Sequence, residues 1–139
     1  MTSEHLLHTI PPIYDRNSKI LILGSFPSVK SREVSFYYGH PQNRFWRVLA
    51  AVLGCAVPSS NEEKTALLHS HNIALWDVIK SCDIVGSSDS SIKNVVPNDI
   101  GTILSSCGIR QIYSNGKTSE KLFNKYIKDT VGRDTVALP

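Results

Sequence analysis

The residues with the clearest chemical potential lie between Ile20 and Trp46, in the segment ILILGSFPSVKSREVSFYYGHPQNRFW. The segment begins with an apolar run of strand length, which is followed by a turn that contains glycine and proline. After it come aromatic, histidine and amide side chains, namely Phe26, Phe36, Tyr37, Tyr38, His40 and Asn43. Aromatic rings supply flat walls, and polar groups among them can fix the orientation of a ligand. The segment therefore predicts a pocket for a planar ligand at the end of a buried strand.

The turn that leaves this strand, GSFPS at positions 24–28, is unlike a phosphate-binding loop. It lacks the Gly-x-x-x-x-Gly-Lys spacing and has a proline where a backbone N–H would be needed, so nucleoside triphosphate chemistry is not expected. We expect the turn to present Ser25 and backbone amides at the carboxyl end of the strand.

Other polar residues follow further apolar runs. Asp77 and Asp89 are candidates for a general acid or base, although Asp77 in the sequence LWDV could equally satisfy backbone amides. The histidine pairs His5 with His8 and His69 with His71 lack further convergent ligands, so neither a metal site nor a cofactor is expected.

The elements that position these residues alternate between strands and helices. Strands are predicted at Ile20–Leu23, Ile73–Trp76, Gln111–Ser114 and Thr135–Leu138. Strands that alternate with helices indicate a three-layer α/β/α sandwich around a central, mainly parallel four-stranded sheet.

Helices are predicted between these strands from residues that typically begin or end a helix. Asn43 is a predicted N-cap for a helix from Arg44 to Leu53 that stops at Gly54, and Ser60 with Glu63 forms a capping box. A helix is predicted from Pro97 to Cys107, and another begins near Thr118. The serine-rich stretch at positions 81–94 is too polar to pack and is predicted to be a functional loop.

Composition sets the broad class. The chain has 139 residues, 41% of them hydrophobic and 19% charged, which fits one folded domain. Three widely spaced cysteines argue against a disulfide framework, and no signal sequence or membrane span is apparent, so a cytoplasmic protein is expected.

The net charge of +3 permits a polyanionic partner without requiring one. Two basic groups, Arg32, Arg44 and Arg47 in one and Lys117, Lys121, Lys125 and Lys128 in the other, could track a phosphate backbone. A solvated helix face is the alternative interpretation of the lysines.

Two motifs in this chain resemble a known family. The turn at positions 24–28 followed by YGHPQNRFW at positions 38–46 is similar to the uracil-DNA glycosylase superfamily, in which a strand-end G-x-x-P turn precedes an H-P-x-N-R-F-W segment. The loop GSSDSS after ALWDV, together with the turn SNGKT at positions 114–118, resembles most the hypoxanthine (deoxyinosine) glycosylase branch. The resemblance covers roughly Ile20 to Tyr126.

The resemblance implies base excision repair. A deaminated base, hypoxanthine first and uracil or xanthine second, would be flipped out of DNA and its N-glycosidic bond hydrolysed without metal or cofactor. Members that cut uracil often carry Asp or Asn at the position of Phe26, which can do no acid, base or water-positioning chemistry. In the hypoxanthine branch that task would fall to the Asn of N-R-F-W, which is Asn43 here, and a plain N-cap is the structural alternative.

The same resemblance gives roles to the remaining candidates. Tyr38 would stack on the base, with Phe36 and Tyr37 as competitors, and Phe26 would help to wall it. Ser25, in the strand-end turn, would approach the base. Asn115 would read the base edge, unless it is only an Asn-Gly turn residue. His40 is a further acid or base candidate or a loop stabiliser. Contacts to DNA are expected from polar and basic side chains, namely Ser88, Ser90, Ser91, Lys117 and Arg44.

The expected partner is double- or single-stranded DNA that contains a deaminated base. We expect a monomer in a bacterial or archaeal type of cytoplasm, associated with the nucleoid during repair. Residues 1–139 would form one glycosylase-like domain, which is expected to lack the C-terminal Ser/Pro-rich loop and last helix of the family.

Two alternatives stay open. A non-catalytic member of the superfamily could bind DNA or a nucleobase without cutting it, and an α/β domain could instead handle a small nucleotide.

Overall fold

The fold is built on a parallel sheet of four strands. A computed structural model describes residues 3–40 and 43–138. The strands are β2 (Ile20–Gly24), β3 (Ile73–Asp77), β6 (Gln111–Asn115) and β7 (Val136–Leu138), in the spatial order β3-β2-β6-β7. All three neighbouring pairs are parallel, so the carboxyl ends of the strands share one edge of the sheet.

Strand β2 is buried on both faces, which explains its unbroken apolar sequence. Leu21 and Leu23 pack into one core cluster with Phe123, whereas Ile22 packs into a second cluster with Trp46. Because side chains alternate along a strand, one short run supplies both cores.

Helices cover both faces of the sheet. One layer holds α2 (Phe45–Leu53) and α3 (Asn61–Ser70), and the other holds α4 (Ile100–Ser106), α5 (Lys117–Tyr126) and α6 (Lys128–Val131); the short α1 (Val29–Val34) follows the strand-end turn. This arrangement confirms the predicted three-layer α/β/α sandwich.

Several boundary signals are confirmed. Helix α2 ends at Gly54 in the left-handed conformation, with φ of 70°. Ser60 and Glu63 form both hydrogen bonds of a capping box at the start of α3. Asn43 is not the N-cap, however: Arg44 occupies that position, and α2 begins at Phe45.

A second sheet was not predicted. The antiparallel strands β1 (Glu4–Leu7), β4 (Ile79–Ile84) and β5 (Lys93–Pro97) lie in the order β1-β4-β5. Within β4, Cys82 is fully buried and Ser81 nearly so, because β4 has partners on both sides and contributes Ile79, Cys82 and Ile84 to a third core cluster.

This second sheet corrects two predictions. Residues 81–84 of the predicted polar loop at positions 81–94 are strand, and Lys93 and Asn94 belong to β5. Pro97 ends β5 opposite Ile79 instead of beginning a helix, and α4 starts three residues later at Ile100. Proline is tolerated there because it sits at a strand end, where a missing N–H costs little.

No helix within residues 3–40 and 43–138 is long and apolar enough to cross a bilayer.

Candidate active site

The candidate site lies where three parallel strands end together. Gly24 of β2 is in register with Asp77 of β3, and Leu23 is in register with Ser114 of β6. Asn115 follows Ser114 in β6 as Gly24 follows Leu23 in β2, so Asn115 lies beside Gly24. This places a carboxylate on one side of Gly24 and an amide on the other, at the edge where open α/β sheets bind their ligands.

Gly24 is required by the packing around it. A Cβ at this position would overlap the Asp77 carboxylate at Oδ1 and would lie 3.0 Å from the Tyr38 hydroxyl. The absence of a side chain lets both polar groups approach the backbone at the end of β2.

Asp77 forms a buried pair with His8. The His8 Nε2–H donates to Asp77 Oδ2 over 2.7 Å, and the two side chains are only 1% and 5% exposed. His8 follows β1, and its backbone N–H donates to the carbonyl of Lys80. Burying a carboxylate is costly unless it is paired, so this pair is a functional-site candidate as well as a structural contact.

Sequence reasoning missed the role of His8. The residue lies 69 positions from Asp77 and carries no local motif, so no signal in the sequence joins the two. The contact depends on β1 pairing with β4, which begins two residues after Asp77 in the chain.

Tyr38 brings its hydroxyl into the same space. Its backbone is left-handed, with φ of 52°, an uncommon conformation for a residue with a side chain. The hydroxyl is buried and, among the described residues, has no hydrogen-bond partner of good geometry. Burial, reinforced by the Asp77 carboxylate, raises the pKa of Tyr38, while the nearby Asn115 side chain acts in the opposite direction.

The three neighbouring aromatic residues at positions 36–38 have separate environments. Tyr37 is 2% exposed, and its hydroxyl donates to the Pro11 carbonyl over 2.8 Å. Phe36 stacks on Trp46 with ring centroids 6.1 Å apart. Tyr37 borders the site through the His8 ring, with centroids 6.0 Å apart, whereas Tyr38 brings its hydroxyl next to Gly24 itself. One face of the Tyr38 ring already stacks on Phe45 at 4.1 Å.

Asn43 lies at the start of α2 and is exposed. Its Oδ1 accepts from the backbone N–H of Phe45 over 2.8 Å, and its own N–H donates to the His40 carbonyl. Because Phe45 stacks on Tyr38, one short turn joins Asn43 to the aromatic side chain at the strand ends. His40 is exposed, and Pro41 and Gln42 of the H-P-x-N-R-F-W segment lie outside the described residues.

Ser25 and Phe26 are half-buried in the turn after β2. The Phe26 ring meets the His8 ring edge-on at 6.1 Å, and the Arg32 guanidinium lies 5.7 Å from its centroid. Phe26 therefore walls the side of the site that holds the His8–Asp77 pair.

The serine-rich loop between β4 and β5 is stabilised by hydrogen bonds among its own residues. Ser91 Oγ donates to the Ser88 carbonyl and accepts from the Val85 N–H, while Ser88 and Ser90 are exposed with their hydroxyls 3.1 Å apart. Asp89 is also exposed and lines a surface groove against α5. Of the two carboxylates predicted near the pocket, Asp77 is the one that the structure brings to the strand ends.

The two basic side chains predicted to contact DNA, Lys117 and Arg44, are exposed. Lys117 is the first residue of α5, directly after Gly116, and Arg44 precedes α2. Within residues 3–40 and 43–138, no cluster of three or more His, Cys, Asp or Glu side chains could hold a metal ion.

Several known proteins resemble this chain in sequence. A family model described as the uracil DNA glycosylase superfamily matches residues 11–137. A protein named hypoxanthine DNA glycosylase from Methanosarcina barkeri is 37% identical over 111 residues, a match that covers 78% of this chain and 70% of that protein. A protein of the same name from Methanosarcina acetivorans is 42% identical over 90 residues, covering 64% of this chain and 57% of the relative.

A solved structure is similar as well. The solution NMR structure of a candidate uracil DNA glycosylase from Methanosarcina acetivorans has a TM-score of 0.80 and 34% sequence identity, over 94% of this chain and 81% of that chain.

Proposed function

The chain belongs to the uracil DNA glycosylase superfamily and is a DNA repair glycosylase for deaminated bases, and we propose that hypoxanthine in DNA is the base that it excises first. The observation that carries this proposal is the meeting of Gly24, Asp77, Asn115 and Tyr38 at the carboxyl edge of the sheet. A planar base can enter there only after it is flipped out of the stack.

Asn115 reads the edge of the flipped base. Hypoxanthine offers an N1–H donor beside an O6 acceptor, whereas adenine offers the opposite pair, so an amide held in one orientation accepts one base and rejects the other. The Asn115 side chain lies near enough to the Tyr38 hydroxyl to lower its pKa, so the two polar groups face the same space.

Tyr38 keeps its proton while the base leaves. Its pKa is raised by burial and by Asp77, so the hydroxyl stays a donor throughout the working pH range. A donor fixed in a dry site stabilises negative charge that develops on a departing base. The ring, stacked on Phe45, forms one wall of the pocket together with Phe26.

Asn43 positions the attacking water. Glycosidic cleavage through a sugar with oxocarbenium character needs no covalent nucleophile, and a neutral amide can orient water without removing its proton. The hydrogen bond from the Phe45 N–H to Asn43 Oδ1 fixes the amide at the start of α2.

DNA is the substrate, and we propose that both duplex and single-stranded forms are cut, since recognition falls on an extrahelical base. We also propose that the protein acts as a monomer.

The test is single-turnover excision from duplexes that contain inosine, uracil or xanthine, followed by alkaline cleavage of abasic sites. Asn43→Ala is expected to lose about 100-fold or more in excision rate while the Kd for DNA stays unchanged. Asn124→Ala, at an exposed position on α5, is the matched control and should cut like the wild type.

Unchanged excision by Asn43→Ala would remove that residue from the mechanism. A wild-type protein that binds inosine-containing DNA and leaves it intact would favour the non-cutting alternative.

A further inference from the structure

A groove on the surface has no role in the chemistry described above. It has a volume of about 730 Å³ and lies between the segment at positions 89–95 and one face of α5. Its residues combine an apolar floor with a basic rim, and they are Asp89, Ser90, Ile92, Lys93, Asn94, Val95, Thr118, Lys121, Leu122, Lys125 and Tyr126.

The rim carries uncompensated positive charge. Lys93, Lys121 and Lys125 are all exposed, and within residues 3–40 and 43–138 none of them lies within ion-pair distance of a carboxylate. Asp89 is the one carboxylate among the described lining residues, so three positive charges against one negative charge leave a formal +2. Lys128, just beyond α5, instead pairs with Asp134 at 3.1 Å.

The groove starts beside the candidate active site. Helix α5 begins at Lys117, two residues after Asn115, and Lys121 and Lys125 follow at successive turns on the same face. At 1.5 Å per residue, the distance along the helix from Lys117 to Lys125 is about 12 Å. One DNA strand places a phosphate about every 3.4 Å along the duplex axis and farther apart along the winding strand itself, so this face can accompany about two or three of them.

The floor suits the sugar side of such a strand. Leu122 and Tyr126 are half-buried, and the Lys125 ammonium lies 5.2 Å from the centroid of the Tyr126 ring. Apolar and aromatic groups below a row of lysines form the kind of surface that follows a nucleic-acid backbone without reading its sequence.

We propose that this groove binds the sugar–phosphate backbone of the DNA that flanks the flipped nucleotide. This proposal rests on the proposed function, because the DNA strand must continue from the base pocket along α5. Its contribution is to affinity and to salt dependence, since phosphate contacts position the protein and base contacts specify the lesion.

The test compares two variants that remove the same charge. Lys93→Gln/Lys121→Gln/Lys125→Gln removes three charges from the groove. The control, Arg16→Gln/Lys19→Gln/Arg110→Gln, removes three charges elsewhere: Arg16 and Lys19 precede β2 and Arg110 precedes β6, at the opposite edge of the sheet from Gly24. Binding to undamaged and inosine-containing duplexes is measured between about 50 and 200 mM salt.

The groove variant should bind more weakly at low salt, and its slope of log Kobs against log salt should fall by about 0.9 for each lost phosphate contact, or 2 to 3 in all. The control variant should keep both the wild-type slope and the wild-type excision rate at saturating DNA. Lys93→Arg/Lys121→Arg/Lys125→Arg should restore the slope, which separates lost charge from misfolding. An oligonucleotide that ends beside the lesion has no flanking backbone to occupy the groove. On this DNA the groove variant and the control variant should bind with equal affinity.

Equal slopes for the groove variant and the wild type would overturn the proposal, as would equal losses in the groove and control variants. Binding to undamaged DNA does not depend on excision. If the groove variant loses salt dependence but the wild type excises no base, the binding site stands and the proposed chemistry is refuted. If the wild type excises the base but the groove variant keeps the wild-type slope, the proposed chemistry stands and the binding site is refuted.

Discussion

Removal of the His8 side chain should destabilise the protein strongly. In His8→Ala the Asp77 carboxylate keeps its buried position and loses the Nε2–H that donates to it over 2.7 Å. The two side chains are 1% and 5% exposed, so water cannot take the place of the imidazole without a rearrangement. Leaving a buried carboxylate without its hydrogen-bond partner costs about 3 to 5 kcal/mol, a large fraction of the stability of a small domain.

The size of this loss can be separated into charge and packing. Asp77→Asn keeps an oxygen that can accept from His8 and removes the charge, so a smaller loss of about 1 to 2 kcal/mol is expected. The double variant His8→Ala/Asp77→Asn should be more stable than His8→Ala alone, since an unpaired buried amide costs less than an unpaired buried carboxylate. The loss of stability that persists in the double variant reflects the ring contacts of His8 with Phe26 and Tyr37, which both His8 variants lack.

The assay is urea unfolding at neutral pH, with the m-value checked for each variant. The matched control is His5→Ala, which breaks the His5–Asp83 pair, also 2.7 Å long but 63% and 26% exposed. Its free energy of unfolding should stay close to that of the wild type, because surface pairs contribute little. A His8→Ala variant no less stable than His5→Ala, or a double variant no more stable than His8→Ala, would refute the argument from burial.

Two further predictions concern single side chains. Gly24→Ala should destabilise the fold by about 1 to 3 kcal/mol in urea unfolding and impair excision, because the new methyl group overlaps Asp77. Gly101→Ala, whose methyl group would meet only an exposed carboxylate at 3.2 Å, should not. Hydrogen bonds from the preceding serines lower the pKa of Glu63, so its stabilisation is fully present above the ordinary glutamate range and is lost as the pH falls through the lowered pKa. Thermal unfolding across pH should show the Glu63→Gln variant less stable than the wild type at neutral pH and equal to it in strong acid, whereas Glu62→Gln should track the wild type throughout.

The sequence alone determined the elements whose signals are local. The apolar run of β2 closed by Gly24, the stop of α2 at Gly54 and the capping box of Ser60 and Glu63 are each defined within a few residues. Alternation of such elements was enough to predict the parallel sheet and its two helical layers. The motifs from Gly24 to Trp46 were enough to indicate the superfamily.

Local signals misled where a neighbouring strand decided the outcome. The polar residues of β4 suggest a loop, yet pairing with β1 on one side and β5 on the other buries Ser81 and Cys82. Pro97 suggests a helix start, yet pairing with Ile79 keeps it in a strand. Tertiary pairing outweighs intrinsic preference in such cases.

The tertiary structure alone decided the composition of the site. Sequence reasoning named Asp77, Asn115 and Tyr38 separately, but the register of β2 with β3 and β6 is what places them around Gly24. His8 joins them only because β1 pairs with β4, and it lies 69 positions from Asp77, so no local signal in the sequence predicts the contact. The chemistry of each side chain is local, whereas a buried pair depends on the exclusion of water by packing that the whole chain must supply.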